Sequence, residues 1–433
     1  MPVTRIVVVG GGFAGFHAAK TLRKTLHKAL PPDTDAEIVL VNRTDYFLYL
    51  PLLPEVAAAV IDPRRVTVSL AAALPGVRLT QGDVTAVSLA ERTVAYTDPE
   101  GATHELGYDR LILAAGSVNK LLPIPGVAEH AHGFRGVAEA LYLRDHVIRQ
   151  IELAAATDDP AERDARCTFV VVGAGYTGTE VAAQGPLLTD ALVRRHHVLH
   201  GQQVRWLLLD TAPRVLPELD QRLSRAADRV LRRRAVEVLT GTSVREATHK
   251  GVALTDGTFV ASRTLAWCVG VRPDPLVSAT GLETRKGRLV VEPTLVVPGY
   301  PDVFACGDAA AVPDLTRGGE PTAMTAQHAQ RQGVLAGRNV AASLSGGKLR
   351  RYKHHDLGFV VDLGGTQAAA NPLRVPLSGI VAKAVTRAYH LLAMPGNRLR
   401  TAVDWTLDAV LPRQSVQLGL VRSAAVPLET KDV

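Results

Sequence analysis

Cysteine is scarce in this chain, and its spacing offers no redox pair. Cys167, Cys268 and Cys306 each lie in or beside an apolar, strand-like run, and no CxxC occurs. That argues against a disulfide scaffold and for buried free thiols in a reducing compartment. Long hydrophobic runs are missing too. Nothing reaches the roughly 18 consecutive apolar residues of a membrane-spanning helix, so none is expected. No basic, apolar and small-residue succession precedes the first strand-like run, "RIVVVG", so no secretory signal is expected. His196-His197 and His354-His355 lack metal-ligand spacing. They read as surface histidines, and no metal site is expected.

What is present is enough for two or three domains: 433 residues, 47% of them apolar. The formal charge of +7 and isoelectric point near 9.4 come mostly from arginine. An anionic membrane surface or a nucleic acid would suit that charge, but scattered basic residues give the same sum. No nucleic-acid partner is expected.

Two stretches carry phosphate chemistry. "RIVVVGGGFAGFHAAKTL" is a buried strand, a glycine turn and a helix, with Gly10, Gly12 and Gly15 spaced GxGxxG. The first glycine permits the tight turn, the second lets a pyrophosphate reach the backbone, and the third lets helix pack on strand. The helix N-terminus then favours the phosphate charge. The following strand, "AEIVLVN", ends in Asn42 where an acid usually holds the adenosine ribose. Asparagine can still bond a hydroxyl, without the charge. The pattern returns in "CTFVVVGAGYTGTEVAAQ" with Gly173, Gly175 and Gly178, and the strand "VRWLLLD" ends in Asp210. "LLTDALVRRHHVLHGQQ", between them, extends the helix. An acid at 210 suits the free 2′-hydroxyl of NADH and repels a 2′-phosphate, with Arg214 nearby to soften the effect. Glycine turns without a ligand are the bland alternative. Further on, "VFACGDAAAV" runs a buried strand into Gly307 and Asp308. Asp308 would bond a ribityl hydroxyl or cap a helix at "AAAV".

The order of these motifs resembles the flavoprotein disulfide reductase-like superfamily with two dinucleotide-binding domains. "GGGFAG", "YDRLILAAGS", "GAGYTG", "LAWCVGVRP" and "VFACGDAA" carry the resemblance over about the first 345 residues. It implies an α/β fold of two Rossmann-like domains, the NADH domain inserted in the FAD domain, with a C-terminal α/β region bearing amphipathic helices. The implied bounds are 1–125 and 285–345 for FAD, 126–284 for NADH, and 346–433 for a membrane-surface or dimerisation region. FAD would use Gly10, Gly12, Gly15, Asn42, Gly307 and Asp308; NADH would use Gly173, Gly175, Gly178 and Asp210. The alternating "VTAVSLAERTVAYTDPEG" looks like a small antiparallel insertion.

Within that superfamily the chain resembles the type II NADH dehydrogenases, single-subunit NADH:quinone oxidoreductases. "TDYFLYLPLLPEVAAAV" looks like the family's segment beside the flavin. Glu180 in "GAGYTGTE" matches its glutamate near the nicotinamide, and "AQHAQRQ" looks like its quinone-site motif AQxAxQ. Pro321 suits a helix start there, with Ala326, Ala329, Gly333 and Gly337 as a narrow packing face. The amide of Gln327 can donate to a quinone carbonyl. A polar helix start with no ligand is the alternative. Two departures stand out: Arg331 occupies the position of the motif's second glutamine, and Leu357 precedes Gly358 where the family commonly has lysine.

The resemblance implies hydride transfer from NADH to FAD and two electrons to menaquinone or ubiquinone, without proton pumping, at the cytoplasmic face of the cell membrane. The tail fits a peripheral anchor. Leu377, Ile380, Val381, Ala384, Val385, Ala388 and Leu391 follow helical spacing, with Lys383, Arg387 and His390 on another face. "NRLRTAVDWTLDAVLP" adds a second helix with Arg398, Arg400 and Trp405. A basic amphipathic pair with one tryptophan suits a membrane interface. Docking on the enzyme body, or on a second copy in a homodimer, would use the same pattern. Three rival functions remain open. A soluble NAD(P)H-dependent reductase of a small iron–sulfur protein or another small acceptor needs no such tail. A sulfide:quinone reductase needs redox cysteines that these three do not match. A redox-sensing binding flavoprotein has less use for Glu180 beside a complete NADH motif.

Overall fold

The computed structural model describes residues 3–30 and 35–428. The chain opens with strand β1 (Thr4–Val9), helix α1 (Phe13–Ala29) and strand β2 (Ala36–Asn42). The short helix α2 (Leu53–Ala57) follows, then strands β3 (Arg78–Gln81) and β4 (Arg110–Leu113). The middle of the chain supplies α3 (Val137–Ala156), β5 (Thr168–Val172), α4 (Tyr176–Val193), β6 (Arg205–Asp210), α5 (Gln221–Arg233), β7 (Val236–Thr240) and β8 (Thr264–Trp267). Next come β9 (Val296–Val297), β10 (Tyr300–Ala305) and α6 (Ala326–Leu344). The last part holds β11 (Val360–Asp362), β12 (Ala368–Ala370), β13 (Leu377–Ser378), α7 (Gly379–Ala393) and α8 (Arg398–Val410).

Two sheets form the body, parallel throughout except that β9 pairs antiparallel with β10. The first runs β9-β10-β4-β1-β2-β3, so strands from both ends of the fold share one sheet. The second runs β8-β5-β6-β7 from the intervening segment, with His132–Gly133 at its β8 edge. Strands buried on both faces read as near-continuous apolar runs, as "IVVV" and "FVVV" do here. The alternating segment is a three-stranded antiparallel unit of Asp83–Ser88, Thr93–Thr97 and Thr103–Gly107, as its pattern predicts. Helix α4 continues only to Val193, about half of the way from Gly178 to Asp210; the rest of "LLTDALVRRHHVLHGQQ" is turn, with a single 3-10 turn at His197–Leu199.

The packing of α1 on α6 joins the chain's beginning to its later part. A Cβ on Gly333 would stand 2.0 Å from the carbonyl oxygen of Ala14, and one on Gly337 would stand 2.6 Å from that of Ala18. The narrow face read from the sequence is therefore a real helix–helix seam. The start of α6 differs from expectation. Its cap is Thr325, whose hydroxyl accepts from the His328 N–H at 3.4 Å. Pro321 lies before the helix, bridged to Pro313, while Thr322 bonds the carbonyl of Val312 at 2.9 Å. Extended pairing claims these residues before a helix can.

The C-terminal pair departs more. Helix α7 is amphipathic as read, but its polar face points inward. Lys383 is 5% exposed and His390 3%, whereas Ile380 is 68% and Leu392 76% exposed. In α8, Trp405 is buried and donates to the Glu55 carboxylate at 2.5 Å, while Leu399, Val403, Leu407 and Val410 face out. Arg65 clamps Asp404 at 2.9 Å and fixes α8 to the body. The physical reason is a partner that the sequence pattern cannot reveal: Asp362 of β11, which holds the Lys383 ammonium at 2.5 Å.

Candidate active site

The first glycine turn is built by close approach. Gly10 has φ +93°, and a Cβ there would stand 2.3 Å from the carbonyl oxygen of Ala114. At Gly15 it would stand 1.7 Å from the carbonyl oxygen of Gly10, so helix and strand touch backbone to backbone. Gly12, the N-cap of α1, has open space beside it, and no side chain caps the helix. Uncapped N–H groups at a helix start are an anion site. Asn42 sits at the expected strand end, yet its amide serves the turn: Oδ1 accepts from Gly11 N–H at 2.7 Å, and Nδ2 donates to the Thr44 carbonyl at 2.8 Å.

Gly10, Gly12, Asn42, Gly307 and Asp308 all line one cavity of about 460 Å³. Leu48 and Leu50, from the segment that resembles the family's flavin-side stretch, line it too. Asp308 does not cap a long helix; it lies in a single turn at Gly307–Ala309 and accepts from the Ser117 hydroxyl at 2.6 Å. The cavity offers an uncapped helix start for a pyrophosphate and a carboxylate for a polyol, so its donor set fits FAD.

Sequence reading missed two residues of this wall, Arg135 and Glu139, and a third, Gln332, that braces Gly307 from behind it. Arg135 lines the cavity and donates to Ser117 Oγ at 3.3 Å. Burial lowers its guanidinium's proton affinity, and Asp308, Glu139 and Asp274 work against that. Glu139 holds Arg135's backbone in place by accepting from its N–H at 2.5 Å. Gln332, next to Arg331 and fully buried, accepts from Gly307 N–H at 2.8 Å and donates to Thr322 Oγ1 at 2.9 Å. No local spacing marks Arg135 or Glu139. Gln332 had a signal, since a glutamine beside helix-packing Gly333 sits where only a buried partner can satisfy it.

The second turn repeats the first. Gly173 has φ +102° and approaches the Cys268 carbonyl oxygen, where a Cβ would stand at 2.3 Å. At Gly178 a Cβ would stand 1.8 Å from the Gly173 carbonyl oxygen, and Gly175 has open space. Asp210 Oδ2 accepts from Ala174 N–H at 2.5 Å and Oδ1 from Ala212 N–H at 2.7 Å. Arg214 turns to the Pro217 carbonyl at 2.7 Å. All three thiols are pushed up by burial, Cys167 to about 11 and Cys268 and Cys306 to about 12, so they stay protonated at neutral pH.

Glu180 lies early in α4, and its Oε1 accepts from Asp362 N–H at 2.7 Å. Burial holds its carboxyl well above the usual range. Asp362 and Glu55 push the same way, and the Asp362 N–H bond and Lys383 oppose them. Gln327 is the second residue of α6, and its Nε2 donates to the Gly358 carbonyl at 3.2 Å. Arg331 turns away to His354 Nδ1, at 3.2 Å. Leu357 is nearly half exposed and brings no positive charge to Gly358, whose N–H donates to the Asp356 carboxylate at 2.8 Å.

Two Rossmann-like units with paired glycine turns define a flavoprotein oxidoreductase of the two-dinucleotide class, and residues 4–333 match the pyridine nucleotide-disulphide oxidoreductase family. More narrowly, the chain belongs to the type II NADH:quinone oxidoreductases. It is 31% identical over 430 residues to the type II NADH:quinone oxidoreductase Ndh of Mycobacterium tuberculosis, covering 95% of this chain and 89% of that protein. It is 28% identical over 412 residues to the demethylphylloquinone reductase NdbB of Synechocystis, covering 93% and 95%. The fold matches a Plasmodium falciparum NDH2 structure in complex with NADH at a TM-score of 0.86, with 16% identity, over 96% of this chain and all of that one.

Asp210→Asn tests the second turn. Asparagine offers one acceptor where two N–H groups need one each, and it drops the charge. Losing one charge-assisted hydrogen bond costs about 1.5–3 kcal/mol, so the KM for NADH should rise roughly ten- to hundredfold with flavin content unchanged. Titration of flavin bleaching with NADH and with NADPH checks this.

Proposed function

We propose that the chain is an FAD-dependent NADH:quinone oxidoreductase working on a membrane surface, with menaquinone or ubiquinone as acceptor and without proton pumping. The outward-turned apolar face of α7 and α8 carries this reading. Leu373, Val375, Ile380, Leu392, Leu399 and Val410 are each more than half exposed, as are Leu411, Val416 and Leu420 beyond α8. Apolar surface of that extent marks an interface, and a helix pair lying flat suits the headgroup–acyl boundary. A soluble reductase has no use for it. Among the described residues no helix is long and apolar enough to cross a membrane, which fits a chain that lies on the bilayer. The basic balance of the chain favours the anionic cytoplasmic leaflet. A second copy covering the same face is the competing occupant.

In this reading the cavity at the first glycine turn would hold FAD, which would supply two-electron carrier chemistry between NADH and the quinone. The chain's own residues do the rest. The α1 and α4 N-termini hold the two pyrophosphates through backbone N–H groups. Asp308 and Ser117 position the ribityl chain, and Arg135 adds positive charge to the FAD cavity. Asp210 selects NADH by repelling a 2′-phosphate. Gln327 keeps a second amide hydrogen beyond its bond to Gly358, and that hydrogen orients a quinone carbonyl. Glu180, whose carboxyl burial holds well above the usual range, faces the nicotinamide side.

Replacing Ile380 and Leu399 together by glutamate tests the anchor. Each buried side chain contributes about 1.5–3 kcal/mol of transfer free energy, so co-sedimentation with anionic liposomes should fall by more than about tenfold. Unchanged sedimentation with a loss of dimer mass in light scattering assigns the face to a second copy instead. Gln327→Leu tests the quinone site. Removing one hydrogen bond of about 0.5–1.5 kcal/mol should slow flavin reoxidation by quinone roughly two- to tenfold. Stopped-flow should show flavin reduction by NADH unchanged, and a fall in both half-reactions would mean that the flavin itself has moved.

A further inference from the structure

Beneath the outward apolar face lies a buried polar seam that the nucleotide turns do not use. It is formed where α2, α4, β11, α7 and α8 meet. Lys383 Nζ lies 2.6 Å from Asp362 Oδ1 and 3.8 Å from Glu55 Oε1. Asp362 in turn is joined to Glu180 through its backbone N–H at 2.7 Å. Polar groups therefore line up from Glu55 to Glu180, with a gap at Glu55 Oε1, which no protein group reaches within hydrogen-bond distance, and a backbone N–H as the link between Asp362 and Glu180.

The seam also collects buried polar atoms that no protein group satisfies. They are Glu55 Oε1, both amide atoms of Gln184, Thr386 Oγ1, Arg387 Nε and Thr401 Oγ1. Their positions agree. Gln184 stands one turn beyond Glu180 on α4 and packs against Gly364, two residues after Asp362. Thr386 shares the inward face of α7 with Lys383 and His390, and Thr401 shares that of α8 with Trp405. A buried hydroxyl or amide left without a partner is costly, and native proteins satisfy such groups with ordered water. So many in one seam call for a hydrated path, not a set of separate defects.

We propose that this seam is a water-filled proton relay, with Glu55 as its internal carrier, that delivers the solvent proton required for quinone reduction. The inference rests on the quinone reading above. Its stoichiometry follows from the net reaction: NADH + H⁺ + quinone gives NAD⁺ + quinol. The hydride brings two electrons and one proton. Quinol holds two protons, so one must enter from solvent in each turnover.

The electrostatics suit the role. Burial pushes the Glu55 carboxyl up to about 7; Asp362 pushes the same way, and Lys383, the Trp405 N–H and Arg387 oppose it. Glu180 adds a further carboxyl from α4. Helix α3, which packs along α2, brings Arg144 and Asp145, and these are paired to each other at 3.0 Å. His390, lowered to about 4 chiefly by burial, is neutral and bonds the Tyr49 hydroxyl at 3.1 Å. Glu55 thus exchanges its proton in the neutral range. As a donor it works below its pKa, so the quinone step should slow as pH rises through about 7.

Two variants test the relay, with stopped-flow reoxidation by a soluble naphthoquinone as readout. In Glu55→Gln the step should slow roughly tenfold or more and lose its dependence on pH near neutrality, while reduction by NADH is unchanged. Thr386→Val keeps the shape and removes one hydroxyl. If water bonds that hydroxyl, the variant melts at a lower temperature, and the quinone step slows and shows a larger solvent deuterium effect. If the seam is dry, removing an unsatisfied hydroxyl raises the melting temperature and leaves the rate alone, and the relay is overturned. An unchanged rate overturns it whichever way the melting temperature moves, and this variant decides the matter even if Glu55→Gln does not fold. Wild-type protein that is bleached by NADH yet passes nothing to the quinone would overturn the functional reading, and the relay with it.

Discussion

The buried ion pair of Lys383 with Asp362 governs how the C-terminal region meets the rest of the molecule. An ammonium enclosed by protein must be matched, and Asp362 matches it at 2.5 Å while also accepting from Gly364 N–H at 2.7 Å. Such pairs do not by themselves raise stability much, because desolvation offsets the attraction. Their force is directional: breaking one partner strands a charge at a cost of about 3–5 kcal/mol. With Lys383 tied inward, α7 has one orientation open to it. Its apolar stripe must face away from the protein, and Ile380 and Leu392 are left exposed. The same pair fixes β11, whose Asp362 N–H reaches Glu180 on the NADH-side helix. The exposed apolar face of α7 and the helix of the second glycine turn are thereby joined through one residue, Asp362.

The two nucleotide turns solve one problem twice. In each, an amide or acid at the end of the second strand accepts from the backbone N–H just after the first glycine: Asn42 from Gly11, Asp210 from Ala174. The residue that is expected to read a ribose also shapes the loop that reads the phosphate. At position 42 the amide is suited to this, since Nδ2 donates to the Thr44 carbonyl, where a carboxylate would be repelled. At position 210 both neighbours are N–H donors, and only a carboxylate serves both.

How much of this was legible in the sequence varied with the range of the forces involved. The glycine turns, the antiparallel insertion and the α1–α6 seam follow from local sterics, and Gly10, Gly15, Gly173, Gly178 and Gly333 announce them. Asp308 was legible as an acid needing a partner, but that partner, Ser117, lies 191 residues away. Periodicity showed that α7 is amphipathic; it does not say which face turns inward. Lys383 and Trp405 read as surface groups because their partners, Asp362 and Glu55, meet them only in the folded chain. Pro321 misled for the opposite reason, since a good helix start was taken by extended pairing with Pro313. Arg135 carried no motif, and only the cavity reveals it.

The reading in which electrons pass from this protein to a quinone held in a membrane has one decisive assay. That assay follows NADH oxidation with purified protein and anionic liposomes that carry a long-chain menaquinone in the bilayer. The expected result is sustained, quinone-dependent turnover that stops when the quinone is omitted and stays with the sedimented vesicles. Flavin that NADH bleaches but the liposome quinone never reoxidises, while a soluble dye or iron–sulfur protein does, would contradict it.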